Sequence, residues 1–380
     1  MKNIPFSRIL FNTLEINKLK KILKNQNSIY DSVNEFENNI KNFLNVDYAI
    51  STSNETQALH LALSAISLKR GDKVLMSVNS FVNIPEVVRH FDAEPIFVDI
   101  NSYDMNIDLD KFEYILSQNI SKKLRVAIIS FIDGNLPDLN RIYRIAKKYN
   151  IILIEDATHF FGAKFDGKLI GSLGDSITIF STIPSNNKVP VTTNGFIVTN
   201  NKNIASRAFN LRTNGLNTTY DNGNMDHIYD VIDIGYKYDI TILDSFLGLC
   251  YLEKTNSIIK RRKEIASIYS KRLMNIEDID ISHNLDFNNN IFSQYIIKIT
   301  KHRDIFSNVL RTKGIFTGLH YIPLHLMSYY RNKYHFKVND YPNALNSYQK
   351  ILSLPIYESL TNEDVEYICD CIVDISKSWE

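Results

Sequence analysis

The sequence predicts an α/β protein: a large domain on a mainly parallel sheet, followed by a smaller α+β domain. Three observations carry this. The chain has 380 residues, more than one ordinary domain needs and enough for two hydrophobic cores. Between about residues 45 and 200, short apolar runs alternate with amphipathic stretches, as in a sheet covered on both faces by helices. Beyond about residue 200 that alternation fades. The expected division is residues 1–245 for the large domain and 246–380 for the smaller one.

Taken in order, VDYAIST reads as a strand and TQALHLALSAISL as the helix after it. DKVLMSV, EPIFVDI, LRVAIISFI, IILIED, SITIFST and GFIVTN continue as strands, with PEVVRHF and LNRIYRIAKKY as helices between them. Residues 217–227, NTTYDNGNMDH, are polar and turn-rich and read as a loop. Residues 241–275 carry apolar side chains near helical spacing and read as one long helix. The remainder mixes a strand, FSQYIIKIT, with helices in DIFSNVLRTKG and NEDVEYICDCIVDIS. No internal repeat is evident.

Composition excludes several classes. Lys+Arg 43 against Asp+Glu 42 leaves a net charge of +1, with no basic excess to neutralise phosphate backbones, so nucleic-acid binding is not expected. No apolar run approaches the roughly 20 residues of a membrane span, and the N-terminus lacks an apolar signal core, so the expected location is the cytoplasm. Cys250, Cys369 and Cys371 make no disulfide framework. Cys369 and Cys371, two apart on a helix, point to different faces and are a poor metal pair, so no metal is expected.

In a parallel sheet, sites lie outside the carboxyl ends of the strands. Phe81, Asp133, Asp156 and Ser181 all follow strand-like runs. Taken alone, Asp156 is as well explained as a cap on the next turn, Phe81 as core, and Ser181 or Thr56 as an ordinary hydroxyl at a strand or helix end.

Several segments, in order along nearly the whole chain, resemble the DegT/StrS family of sugar aminotransferases, which use pyridoxal phosphate (PLP). They are SVNEFENNIKNFLNVDYAISTSNETQALHLAL, GDKVLMSVNSFVNIPEVVRHFDAEPIFVDI, the stretch from SFIDGNLPDLN through IEDATHFFGAKFDGKLIGSLGDSITIFST, GLHYIPLHLMSYY, and LSLPIYESLTNEDVEYI. The resemblance implies the PLP-transferase (aspartate aminotransferase-like) fold, a homodimer with a composite pocket, and a sugar-nucleotide substrate in surface-glycan biosynthesis. It further implies that Asp156 pairs with the pyridine nitrogen of PLP, Phe81 stacks on the ring, and Thr56 and Ser181 meet the phosphate.

The chain departs from the family pattern at the same pocket. The family's Phe-Ser-x-x-Pro-Ser-Lys-Asn is here Phe180-Ser181-Thr182-Ile183-Pro184-Ser185-Asn186-Asn187, which sets Asn186 at the lysine position. An asparagine amide forms no Schiff base and shuttles no proton. Lys188 lies within about 6–7 Å along an extended chain and is either a substitute amine or a solvated lysine. The Ser-Gly-Thr turn becomes Asn54-Glu55-Thr56, which puts a carboxylate where a glycine normally lets phosphate approach a helix N-terminus. His159 replaces the glutamine of Asp-x-x-Gln; it is either a proton-moving group or a filler of the glutamine's space. Lys237 and Asp239 replace the asparagine and arginine of Gly-x-Asn-aromatic-Arg, and Lys237 is expected to pair with Glu55 across the dimer interface.

Three functions follow. The favoured one is an aminotransferase-like protein whose pocket has lost its cofactor and takes a sugar nucleotide; standard transamination is not expected of it. The second is a PLP-dependent aminotransferase, or a dehydratase using the aminated cofactor PMP, on a keto-sugar nucleotide. The third is a non-catalytic partner of a true aminotransferase.

Overall fold

The computed structural model describes residues 2–24, 31–118, 123–132, 135–183, 192–217, 229–281 and 286–378. Asp133, Asn186, Lys188 and, save Asn217, which ends a two-residue strand, the loop expected at 217–227 lie outside them.

Among the described residues seven strands form the main sheet: β1 Tyr48–Thr52, β2 Lys73–Ser77, β3 Glu94–Val98, β4 Leu124–Ser130, β5 Ile152–Asp156, β6 Ile177–Phe180 and β7 Gly195–Thr199. Their order is β1-β7-β6-β5-β4-β2-β3. All the neighbouring pairs from β6 to β3 are parallel, and β7 runs antiparallel to both β1 and β6. The α/β fold class and mainly parallel sheet are thus as the sequence predicts.

The strands are apolar throughout because both faces are covered. In β4, Val126 and Ile128 face one core while Ala127 and Ile129 face the other. The first core is closed by α3 (Glu55–Ala65), α4 (Asn83–His90) and α7 (Lys202–Arg212). The second is closed by α2 (Asp31–Leu44), α5 (Leu109–Gln118) and α6 (Leu139–Tyr149). A buried ion pair between Glu37 and Arg212, to which Ser51 also bonds, ties α2 and α7 to β1.

The long helix expected at 241–275 is α8, Ile242–Leu273. Its first half gives Leu249 to the second core; its second half gives Ile265, Ala266, Tyr269 and Leu273 to a third. That third core lies on an antiparallel sheet of Ile279–Asp280, Tyr295–Ile299 and Ile351–Leu354. The start of the chain joins it: Ile4 pairs with Ile315, and Lys2 bonds Asp364 at 2.8 Å. Among the described residues no helix is long and apolar enough to cross a membrane.

Candidate active site

The carboxyl ends of β1, β2, β4, β5 and β6 share one edge of the sheet, and the turn after β1 is held there from several sides. Asn54 is the N-cap of α3: its Oδ1 accepts the Gln57 N–H at 2.9 Å, satisfying a helix-start donor. Thr52 Oγ1 donates to the Asn54 carbonyl at 2.8 Å, and Thr193 Oγ1 to the Ser53 carbonyl at 2.8 Å. Ser53 Oγ donates to the Asp239 carbonyl at 2.6 Å, which brings the Tyr236–Asp239 loop onto the same turn. Gly195, at the start of β7, packs so closely that a Cβ there would sit 2.3 Å from the Asn54 carbonyl carbon.

Glu55, the first residue of α3, and Asp156, at the end of β5, are neighbours in this cleft. Thr158 Oγ1 donates to Asp156 Oδ1 at 2.7 Å, and Ser130 supplies a further hydrogen bond. Burial raises the pKa of Asp156, and these hydrogen bonds pull it partly back. Burial also raises that of Glu55; its own backbone N–H opposes the shift, and Asp156 adds to it. The Tyr321 phenol sees both acids: burial first, then Asp156, raises its pKa, against a hydrogen bond with Gln294. The Phe81 ring is 52% exposed and lies 5.7 Å from the Tyr321 ring. Tyr321 N donates to Asn79 Oδ1 at 3.4 Å.

The other residues singled out in the sequence are distributed around this cleft. Thr56 Oγ1 accepts from Asn83 Nδ2 at 3.1 Å. Ser181 is fully buried; its hydroxyl donates to Asn194 Oδ1 at 3.2 Å and accepts from Ile183 N at 3.1 Å. His159 lines a cavity against α8 that Thr158 and Ser181 also line, where burial, with Arg262 nearby, lowers its pKa to about 4 and keeps the ring neutral at physiological pH. Lys237 is 74% exposed and bonds Asp239 at 2.6 Å, so the pair expected with Glu55 is not made within one chain. Tyr321, Gln294 and Asn79 were not singled out as site residues, although GLHYIPLHLMSYY holds Tyr321.

The fit to PLP can be tested half by half. Asp156 and Phe81 both lie near Tyr321, and a pyridine ring seated there would meet a carboxylate able to keep its nitrogen protonated. The phosphate half does not fit. Glu55 sets a carboxylate at the α3 N-terminus, where its own N–H is among its hydrogen-bond donors, and the Ser181 hydroxyl is committed to Asn194. A phosphate dianion in that seat would face Glu55 with Asp156 behind it.

A seven-stranded sheet, an acid at the end of its central strand and a helix N-terminus on the same edge define the PLP-transferase architecture. The chain belongs to the DegT/DnrJ/EryC1/StrS aminotransferase family, whose profile it matches over residues 11–373. It is 31% identical over 350 residues to the uncharacterized protein MJ1066 of Methanocaldococcus jannaschii, covering 90% of this chain and 89% of that one. It is 30% identical over 340 residues to GDP-perosamine synthase of Escherichia coli O157:H7, with the same coverage of 90% and 89%. Among solved structures, Spr1654 of Streptococcus pneumoniae in its PMP form superposes with a TM-score of 0.89 at 23% identity, over 99% of this chain and 100% of that one.

Proposed function

We propose that this chain is a sugar-nucleotide-binding member of its family, acting in nucleotide-sugar and surface-glycan biosynthesis, whose cleft does not run lysine-based transamination. The pathway rests on relatives such as GDP-perosamine synthase and, at 29% identity over 383 residues, the UDP-4-amino-4,6-dideoxy-N-acetyl-beta-L-altrosamine transaminase of Campylobacter jejuni. One observation carries the departure from them: the α3 N-terminus, where a phosphate would be cradled, carries Glu55 beside Asp156. Asn186 at the lysine position points the same way. The working unit in this reading is a homodimer, which the resemblance to the family implies and which the Tyr236–Asp239 loop, bonded to the turn before Glu55, supports.

A second reading, an active PLP- or PMP-dependent aminotransferase or dehydratase, is favoured by the intact ring half: Asp156 held by Thr158, with Phe81 across from Tyr321. Titration of the purified protein with PLP, followed by borohydride reduction and peptide mapping, separates the two. The proposal expects no visible lysine-bound absorbance and no label on Lys188, together with saturable stabilisation by GDP- or UDP-linked sugars. Labelled Lys188 establishes an aminotransferase, and tight PMP binding without label establishes the second reading in its PMP form.

A further inference from the structure

Against α8, sharing Thr158 and Ser181 with the Glu55–Asp156 cleft, lies a cavity of about 70 Å³. That is several times the roughly 10–15 Å³ one water needs, and it suits a small organic molecule. Its polar wall is unusual. Arg262 brings a guanidinium whose Nε is buried without a hydrogen-bond partner, and no carboxylate closes to ion-pair distance of it among the described residues. His159 adds a second buried nitrogen, Nδ1, without a partner. Glu358 lines the same cavity, close enough to act on Arg262 electrostatically but not bonded to it. Ile183, Ile258 and Tyr251 give the cavity an apolar part of its lining.

A guanidinium in such a place favours an anion, because its Nε is buried without a hydrogen bond and Glu358 stays beyond ion-pair distance. The planar fork of arginine matches the two oxygens of a carboxylate. Arg8 lines the cavity as a second cation and Glu358 as an acid, so the charges around it favour a monoanion over a phosphate dianion, which would also leave the apolar lining unfilled. We infer that this cavity binds a short aliphatic carboxylate, its carboxylate on Arg262, its edge toward His159, and its tail on Ile183, Ile258 and Tyr251. Burial lowers the pKa of Arg262 and raises that of Glu358, as expected while the anion position is not filled by the chain itself. The site adjoins the reacting end of the cleft, since Thr158, which holds Asp156, and Ser181 both line it.

Thermal unfolding of the full chain in sodium acetate, against sodium chloride and sodium phosphate at matched ionic strength, tests the assignment. The expected result is a saturable rise of the midpoint with acetate alone, abolished in Arg262→Met and kept or tightened in Glu358→Gln, which removes the opposing charge. Should Arg262→Met not fold, the Glu358→Gln arm still decides. If Arg262 and Glu358 merely pair with one another, the wild type shows no acetate-specific rise and Glu358→Gln lowers the midpoint while creating one, and the inference falls. Indistinguishable acetate and chloride curves overturn it, as does an equal response to phosphate or a full acetate response in Arg262→Met.

Discussion

Glu155 and Asp156 are consecutive on β5 and therefore point to opposite faces of the sheet. Asp156 turns to the cleft, whereas Glu155 is fully buried against α6, accepting from Tyr143 Oη at 2.6 Å and Thr178 Oγ1 at 2.8 Å. Burial raises the Glu155 pKa above its ordinary 4.5, and the hydrogen bonds only partly offset this. A folded-state pKa above the unfolded one means the folded chain holds the proton more tightly. Its contribution to stability is therefore full below the ordinary carboxylate value and is lost as pH rises through the folded value. Glu155→Gln is thus expected to gain on the wild type as pH rises from about 4.5, read as the difference between their unfolding midpoints; parallel pH curves would contradict this. Tyr143→Phe leaves Glu155 buried with one donor fewer and should cost about 1–3 kcal/mol in denaturant unfolding. At this scale the sequence was only half legible. Asp156 and Phe81 stand out because each follows an apolar run. Tyr321 and Gln294 reach the same cleft from the distant C-terminal part, and no local pattern marks them.

At the scale of elements, the cleft depends on how the start of α3 is held. Asn54→Ala removes the side-chain cap and should cost about 1 kcal/mol. Gly195→Ala pushes a methyl into the Asn54 peptide, a misfit that costs about 1–3 kcal/mol, and it should weaken sugar-nucleotide binding as well because the same turn carries Glu55. Equilibrium unfolding and ligand titration of both variants check this: a Gly195→Ala protein with wild-type stability would show that the close approach is not needed. The strands were readable because two-sided burial writes them as unbroken apolar runs. The direction of β7 was not, since an apolar run carries no arrow and antiparallel pairing with β1 and β6 buries the same residues. Nor was the docking of Ile4 beside Ile315, which depends on a pairing more than three hundred residues apart in sequence.

For the whole molecule, the surface beside the cleft sets the last expectation. Phe209, Tyr229, Val231, Ile232 and Ile234 are exposed on and around the Asp230–Val231 strand, Ile234 to 83%. Apolar groups collected this densely beside a pocket mark a contact surface rather than scattered exposure. They lie next to the Tyr236–Asp239 loop, whose backbone is bonded to Ser53, so a second copy seated there would lie beside the turn that carries Glu55. The proposed homodimer therefore predicts a coupling between assembly and binding. Ile234→Asp adds a charge to the middle of the patch and disturbs no buried contact, so the fold and its unfolding midpoint at low concentration should change little. In light scattering the wild type should run as a dimer and the variant as a single chain. Sugar-nucleotide affinity should fall with the dimer and recover at protein concentrations that restore it. A wild type that is monomeric at all concentrations would remove the dimer, and a monomeric variant that binds as tightly as the wild type would remove the coupling while leaving the dimer in place.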